Sequence, residues 1–248
     1  LIILIFILGL VLGSFINVLI YRLPRKGNIY LSRSACPYCE KKLAALDLIP
    51  VFSYLLLRGS CRYCQGRISP RYPLVELLTA LGLSAIILAL GLTWQGLALS
   101  LLFLFLLPAA IIDFQHFILP DEITLVGLGL GLVLALVGDH LGIGQALLGA
   151  GLGGGSLFLL ALAYPSGMGG GDVKLMAMVG SFIGWQLALG AIFLGAILGI
   201  IYFIIAGKIV GSMDSNTPIP FGSMLAPASL IAFFWGYTIW EWYLNLFI

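Results

Sequence analysis

The chain has 248 residues, of which 61% are hydrophobic and 9% charged, against roughly half and a quarter in an ordinary soluble domain. A water-soluble globule is excluded, and the formal charge of +2 conceals a local imbalance. Thirty-two glycines lie among Leu, Ile, Ala and Val runs, where they let helices approach closely. The expected class is an all-α integral membrane protein, with the lipid bilayer as its surroundings and no nucleic acid as partner.

Residues 1–20 form an apolar run without the basic leader or small-residue cleavage site of a secretory signal, so they are expected to be a retained spanning helix. Further runs of spanning length fall near 73–91, 95–112, 122–138, 143–163, 173–185, 187–206 and 223–247. That gives about eight transmembrane helices, the sixth of them short. Ten of the twelve Lys and Arg lie between Arg22 and Arg71, a stretch with only two acids, Glu40 and Asp47. Basic residues accumulate in cytoplasmic loops, so the N-terminus is expected outside. By alternation, 113–121, 164–172 and 207–222 are then cytoplasmic, and Lys208 lands inside. The spacings Gly127/Gly131, Gly149/Gly153, Gly151/Gly155 and Gly195/Gly199 are expected to serve helix packing.

All four cysteines fall in the basic stretch. Cys36-Pro-Tyr-Cys39 and Cys61-Arg-Tyr-Cys64 are separated by 21 residues, a spacing close to that of a four-thiolate zinc site. Four protein sulfurs leave no open position for water, so such a zinc would be structural. Two disulfides or four free thiols are the competing readings, the first disfavoured in a cytoplasmic loop. The expected architecture is therefore a small cytoplasmic zinc-binding subdomain between helices 1 and 2. Between the pairs, Ile49–Leu57 is apolar but too short to span and is expected to pack on the membrane surface or on neighbouring helices.

Only ten acids occur in the chain, so an aspartate adjoining a span needs a use or a source of solvation. Asp113 follows the apolar run Leu101–Ile112, and Asp172 follows Gly169-Gly170-Gly171 and precedes Val173-Lys174. The span count places both at the cytoplasmic face. Two carboxylates brought together at that depth cannot both ionise cheaply, which suits an aspartyl peptidase that shares acid and base roles between them. The three glycines would let a substrate strand come close. Intramembrane acids also serve ion or proton relays, and on spacing alone a transporter is an equal alternative. Nucleotide binding is set aside, because no Gly-Lys-Ser/Thr follows the glycines. Asp121, Glu122, Asp139, Asp214 and Glu241 are read as solvated interface residues. His116 is expected on the Asp113 helix face as an ordinary interface histidine, and His140 on the outer side.

Taken together, these residues resemble the bacterial type IV prepilin peptidase family, the leader peptidase/N-methyltransferases. The resemblance runs through Gly13-Ser14-Phe15-Ile16-Asn17-Val18, Arg22-Leu23-Pro24, both cysteine pairs and Ser69-Pro70-Arg71-Tyr72-Pro73-Leu74-Val75-Glu76. It continues through Asp113 with Leu119-Pro120-Asp121, Gly169-Gly170-Gly171-Asp172-Val173-Lys174 and Ile219-Pro220-Phe221-Gly222. It implies a multi-pass enzyme of the bacterial inner membrane that removes the basic leader of prepilins and type II secretion pseudopilins on the cytoplasmic side. The new N-terminus is then methylated with S-adenosylmethionine. Carried over, Asp113 and Asp172 are the catalytic pair, with Gly169, Gly170, Gly171 and Lys174 shaping the site. Residues 1–20 are the first helix, 21–72 the cysteine subdomain linked with methylation, and 73–248 the peptidase domain. Three positions depart from the family pattern: Gln115 replaces a frequent second acid, Ala45 a frequent aromatic, and Ser223 a common proline.

Overall fold

The computed structural model describes residues 1–25, 34–164, 168–210 and 218–245; Asp214 lies outside them. Among the described residues the regular structure is helical: α1 (Ile2–Arg22), α2 (Phe52–Leu56), α3 (Arg71–Leu90), α4 (Trp94–His116), α5 (Asp121–Val137), α6 (Ile143–Ala163), α7 (Gly170–Ile183), α8 (Trp185–Val210) and α9 (Phe221–Leu244). Two short 3-10 turns and two isolated β-bridges complete it. By length and composition six helices suffice to cross a membrane, namely α1, α3, α4, α6, α8 and α9. This is a multi-pass membrane protein. The expected count of eight is not reached on that criterion, because α5 has 17 residues and α7 only 14. The apolar runs were otherwise well placed, and Gly184, with φ of +80°, makes the sharp break between α7 and α8.

Two compact units divide within α4, Leu1–Ser100 and Leu101–Ile248. Within the first unit α3 packs along α1. That packing is nearly backbone to backbone: a Cβ on Gly13 would stand 2.6 Å from Glu76 Cα, and one on Gly9 would stand 2.5 Å from Ala80 Cα. Polar side chains occupy this seam where the surrounding helices are apolar. Asn17 donates from Nδ2 to the Tyr72 carbonyl at 3.0 Å, and buried Thr79 bonds back to Val75 O at 2.7 Å.

In the second unit the short helix α7 is the core. It packs against α5, α6, α8 and α9, and Leu175, Met176, Met178, Val179 and Ser181 are fully buried. The enclosing helices reach it through small residues. A Cβ on Gly127 or Gly131 would collide with Met178 or with Ser181 and Phe182, and Gly149 and Gly180 face each other across α6 and α7 with backbone in contact. Gly195 lies against Leu225 of α9. The third spacing does not behave as expected: Gly151 and Gly155 face open space. They sit two residues off the Gly149/Gly153 stripe, and two residues is half a turn of helix.

The paired glycines carry a prediction. Gly180→Leu forces side-chain volume into backbone and destabilises the fold by about 1–3 kcal/mol or more, whereas Gly151→Leu, on the same pair of helices, leaves it within about 0.5 kcal/mol. Thermal unfolding of the two purified variants in detergent checks this.

Candidate functional site

Asp113 lies one turn from the end of α4, where the helix closes on Phe117 in a left-handed conformation (φ +54°) with its N–H on the Asp113 carbonyl at 2.8 Å. The chain then turns through Leu119 and Pro120 into α5. Asp172 occupies the first turn of α7, after Gly169 as N-cap, and its N–H bonds Gly169 O at 3.2 Å. An acid in the first turn of a helix is favoured by the backbone dipole. Both side chains are buried, with 6% and 9% of their surface exposed.

The second unit brings them to one end of its bundle. Leu119 is the gauge: a Cβ on Gly171, one residue before Asp172, would lie 2.8 Å from it, and a Cβ on Gly222 would lie 2.9 Å from it. The same Gly222 position would meet Asp113 Oδ2 at 3.1 Å. Asp113, Leu119, Gly222 and the Gly171-Asp172 step therefore form one close-packed cluster, with Asp172 inside the electrostatic range of Asp113. Gly171 and Gly222 are glycines because Leu119 takes their side-chain space. Gly170 opens to free space.

The two carboxylates differ in their partners. Ser223 donates its N–H to Asp113 Oδ2 at 2.8 Å, and its hydroxyl stands 3.0 Å from the same oxygen and 2.8 Å from the Ala110 carbonyl. Asp172 Oδ1 is buried and has no hydrogen-bond partner among the described residues. A buried polar atom left open in this way is a place for a ligand or a water. Beside it, Lys174 forms an ion pair with Asp121 at 2.6 Å, both ends partly exposed.

Of the residues singled out from sequence, Asp113, Asp172 and Gly171 come together. Lys174 points instead to Asp121, which is exposed as expected but paired. Glu122, Asp139, Glu241 and His116 are exposed. Ser223, Gly222 and Leu119 were not assigned a place here. Ser223 stood out only as a departure from a family pattern, a signal that says nothing of its partner 110 residues away.

The cysteines form a separate cluster in the first unit. Each pair sits in the same local fold, related by 25 positions: the bridges Ala35 to Lys42 and Ser60 to Arg67, and N–H to O bonds from Cys36 to Lys41 and from Cys61 to Gly66. Glu40 and Gln65, each following the second cysteine, both have positive φ. The four sulfurs lie within 4.8 Å of one another, and Cys36 Sγ is 3.8 Å from Cys64 Sγ. A tetrahedral zinc with bonds of about 2.3 Å separates its sulfurs by about 3.8 Å, so the donor set fits such an ion. Two of the sulfurs shift in opposite directions. N–H groups of Tyr63 and then Cys64 bring the Cys61 thiol down to about 7. Cys64 goes up to about 11, because the Gly66 N–H is outweighed by desolvation and the neighbouring sulfurs. Ligation by all four sulfurs would need each as a thiolate, with the cation supplying the compensating charge.

Comparison with known proteins agrees along the whole chain. Residues 7–90 match the Bacterial Peptidase A24 N-terminal domain, and residues 100–204 match the Type IV leader peptidase family. The Prepilin leader peptidase/N-methyltransferase of Aeromonas hydrophila is 38% identical, the match covering 99% of this chain and 94% of the relative. The protein of the same name from Pseudomonas aeruginosa is 37% identical over 96% and 92%, and that from Bacillus subtilis 30% identical over 97% of each. No solved structure matches. With both family descriptions matched in order and these relatives aligned over nearly their full length, the chain belongs to the type IV leader peptidase family.

Proposed function

We propose that this protein is a membrane aspartyl endopeptidase that removes the leader from type IV prepilins and type II secretion pseudopilins and then methylates the exposed N-terminus. The observation that carries the reading is the buried convergence of Asp113 and Asp172 at one end of a glycine-packed bundle, in a chain of this family. A transporter is not favoured, since its support was the same two acids without the family.

The substrate enters as a helix, and its cleavage segment must lie extended beside the open face of Gly170, because helical carbonyls are already hydrogen-bonded. A water between the aspartates loses a proton to the ionised one as its oxygen bonds to the scissile carbonyl carbon. The protonated one polarises the carbonyl oxygen. The C–N bond then breaks as the leaving nitrogen receives a proton from the pair. Ser223 suits this cycle. Its single hydroxyl proton has two acceptors: it serves Asp113 when that carboxylate is charged, and the Ala110 carbonyl when Asp113 carries its own proton. A buried acid that must change state keeps a partner in both.

S-adenosylmethionine, as the name of the relatives implies, supplies the methyl group for the new α-amine. Cys36, Cys39, Cys61 and Cys64 would hold zinc with no open position, in a structural role. The cysteine subdomain, residues 21–72, is assigned to methylation and the region 73–248 to cleavage.

For orientation, the basic stretch from Arg22 to Arg71 supports an N-terminus outside and an active site on the cytoplasmic face of the bacterial inner membrane. We assign α5 and α7 as the two remaining spans, making eight. At 14 residues α7 extends about 21 Å, short of the ~30 Å hydrocarbon core. Its enclosure by four other helices removes the need for it to meet lipid along that whole thickness.

Three outcomes test this. Asp113→Asn and Asp172→Asn each lower leader cleavage by roughly a thousandfold or more with unchanged circular dichroism and unchanged zinc content, read by mass analysis of a purified prepilin substrate. Ser223→Ala lowers kcat about tenfold with KM nearly constant, as expected for one hydrogen bond to a charged group, and Ser223→Thr restores it. Cys36→Ser, or stripping by a strong chelator, removes about one zinc per chain and lowers the unfolding temperature, measured by elemental analysis and thermal scanning. Full stability without the metal contradicts the structural assignment.

A further inference from the structure

The apolar stretch between the cysteine pairs takes no part in either reaction as described, yet it is held in place by a buried carboxylate. Val51 donates its N–H to Glu76 Oε2 at 2.7 Å, and Ser14 of α1 hydrogen-bonds the same side chain. We infer that α2 and the turn before it form an interfacial wedge, seated in the lipid leaflet beside α1 and α3 and fixed at its depth by Glu76.

Depth comes from the tether. Glu76 is five residues into α3, about 7–8 Å along its axis at 1.5 Å per residue. At that level the helix pair already shows apolar surface: Leu74 of α3 is 57% exposed, and Phe15, next to Ser14 on α1, is 50% exposed. Val51 is therefore held beside a surface that meets lipid, and α2 starts at the next residue. Three of its five residues are large and apolar with their side chains outward, Phe52 at 56% and Leu55 and Leu56 at 67%.

The backbone meets the condition lipid imposes, that peptide groups find partners within the protein. Phe52, Ser53, Leu55, Leu57 and Gly59 donate to the carbonyls of Pro50, Ile49, Val51, Ser53 and Tyr54 at 2.5–3.1 Å. The N–H of Val51 goes to Glu76. To aim it there, Val51 takes φ +60° and ψ −48°, the centre of a rare γ-turn and a strained conformation for a β-branched residue. Arg58, two residues after α2, and Arg67 are exposed, within reach of anionic head groups at the same boundary. The occupant is thus the phospholipid leaflet and not a passing protein helix.

The test uses the full chain in nanodiscs of phosphatidylethanolamine and phosphatidylglycerol, doped with a phospholipid carrying a diazirine near the ester end of one acyl chain. After irradiation, adducts are mapped by peptide mass. The wedge predicts adducts on Phe52–Leu56 at a yield within about threefold of those around Phe15, both being at one depth. Glu76→Ala lowers the Phe52–Leu56 yield about fivefold, the worth of a typical hydrogen bond, while the Phe15 adducts persist as an internal control of folding. Glu76→Gln, whose amide oxygen still accepts from Val51, keeps it. Adducts around Phe15 and Leu78 with none on Phe52–Leu56 in the wild-type chain overturn the proposal. So does loss of the Phe52–Leu56 lipid adducts, with those around Phe15 kept, when a prepilin is present at equal concentration.

Discussion

A carboxylate enclosed by a lipid-bordered helix bundle is tolerable only where protein donors, another titratable group or a trapped water meets it. Asp172 depends on that condition most directly, since its Oδ1 has no partner among the described residues. The structure concentrates its tightest packing around this helix. Backbone contact between Gly149 and Gly180, and the seats of Met178 and Phe182 over Gly127 and Gly131, hold α7 rigidly between α5 and α6. Leu119 then fills the space that side chains at Gly171 and Gly222 would need. Rigid walls around a buried, unpartnered oxygen are what a preorganised site requires.

The first unit answers the same constraint differently. Glu76 and Asn17 are buried polar residues in a seam between apolar helices, and each is used to capture backbone: Val51 N–H by Glu76, and the Tyr72 carbonyl by Asn17. The motif residues around positions 13–18 and 69–76 thereby act as fasteners for the segment that carries the cysteines. The cysteine fold itself is a repeated pair of turns, with Glu40 and Gln65 in matching left-handed positions. A Cβ on Gly66 would stand 2.8 Å from the Tyr38 ring of the other turn, so the two knuckles pack on each other as well as bringing their sulfurs together. Arg62 and Tyr63 reach across to Asp47, at 2.7 and 3.3 Å. Although burial raises that carboxyl, the Arg62 hydrogen bond and the Ala44 N–H hold it below the usual range.

Features whose chemistry is local were legible in the amino-acid sequence. Four cysteines in two short pairs announce themselves by spacing, and two aspartates at the edges of apolar runs stand out because charge is so scarce. The helices followed apolar runs closely. What escaped was whatever depends on a distant partner. Ser223 is an unremarkable residue in the first turn of α9 until Asp113 is seen beside it, and Lys174 gave no hint of Asp121. Glycine spacing identified packing stripes at Gly127/Gly131 and Gly149/Gly153 but also offered Gly151/Gly155, since a four-residue spacing says nothing about which face of α6 has a neighbour. The helix α7, expected to be short, has 14 residues, and its apolar side chains are largely in contact with other helices.

The central claim is that Asp113 and Asp172 act as one unit on a single carbonyl. A leader peptide in which the scissile amide is replaced by a hydroxyethylene group, the mimic of the tetrahedral state, measures this by binding alone. Affinity is determined for the wild-type chain, for Asp113→Asn, for Asp172→Asn and for the double variant. A shared site predicts that each single change lowers affinity about a hundredfold and that the double change adds little further, the non-additivity of groups that work together. Independent losses that sum in the double variant, or one aspartate whose replacement leaves binding untouched, would contradict the account.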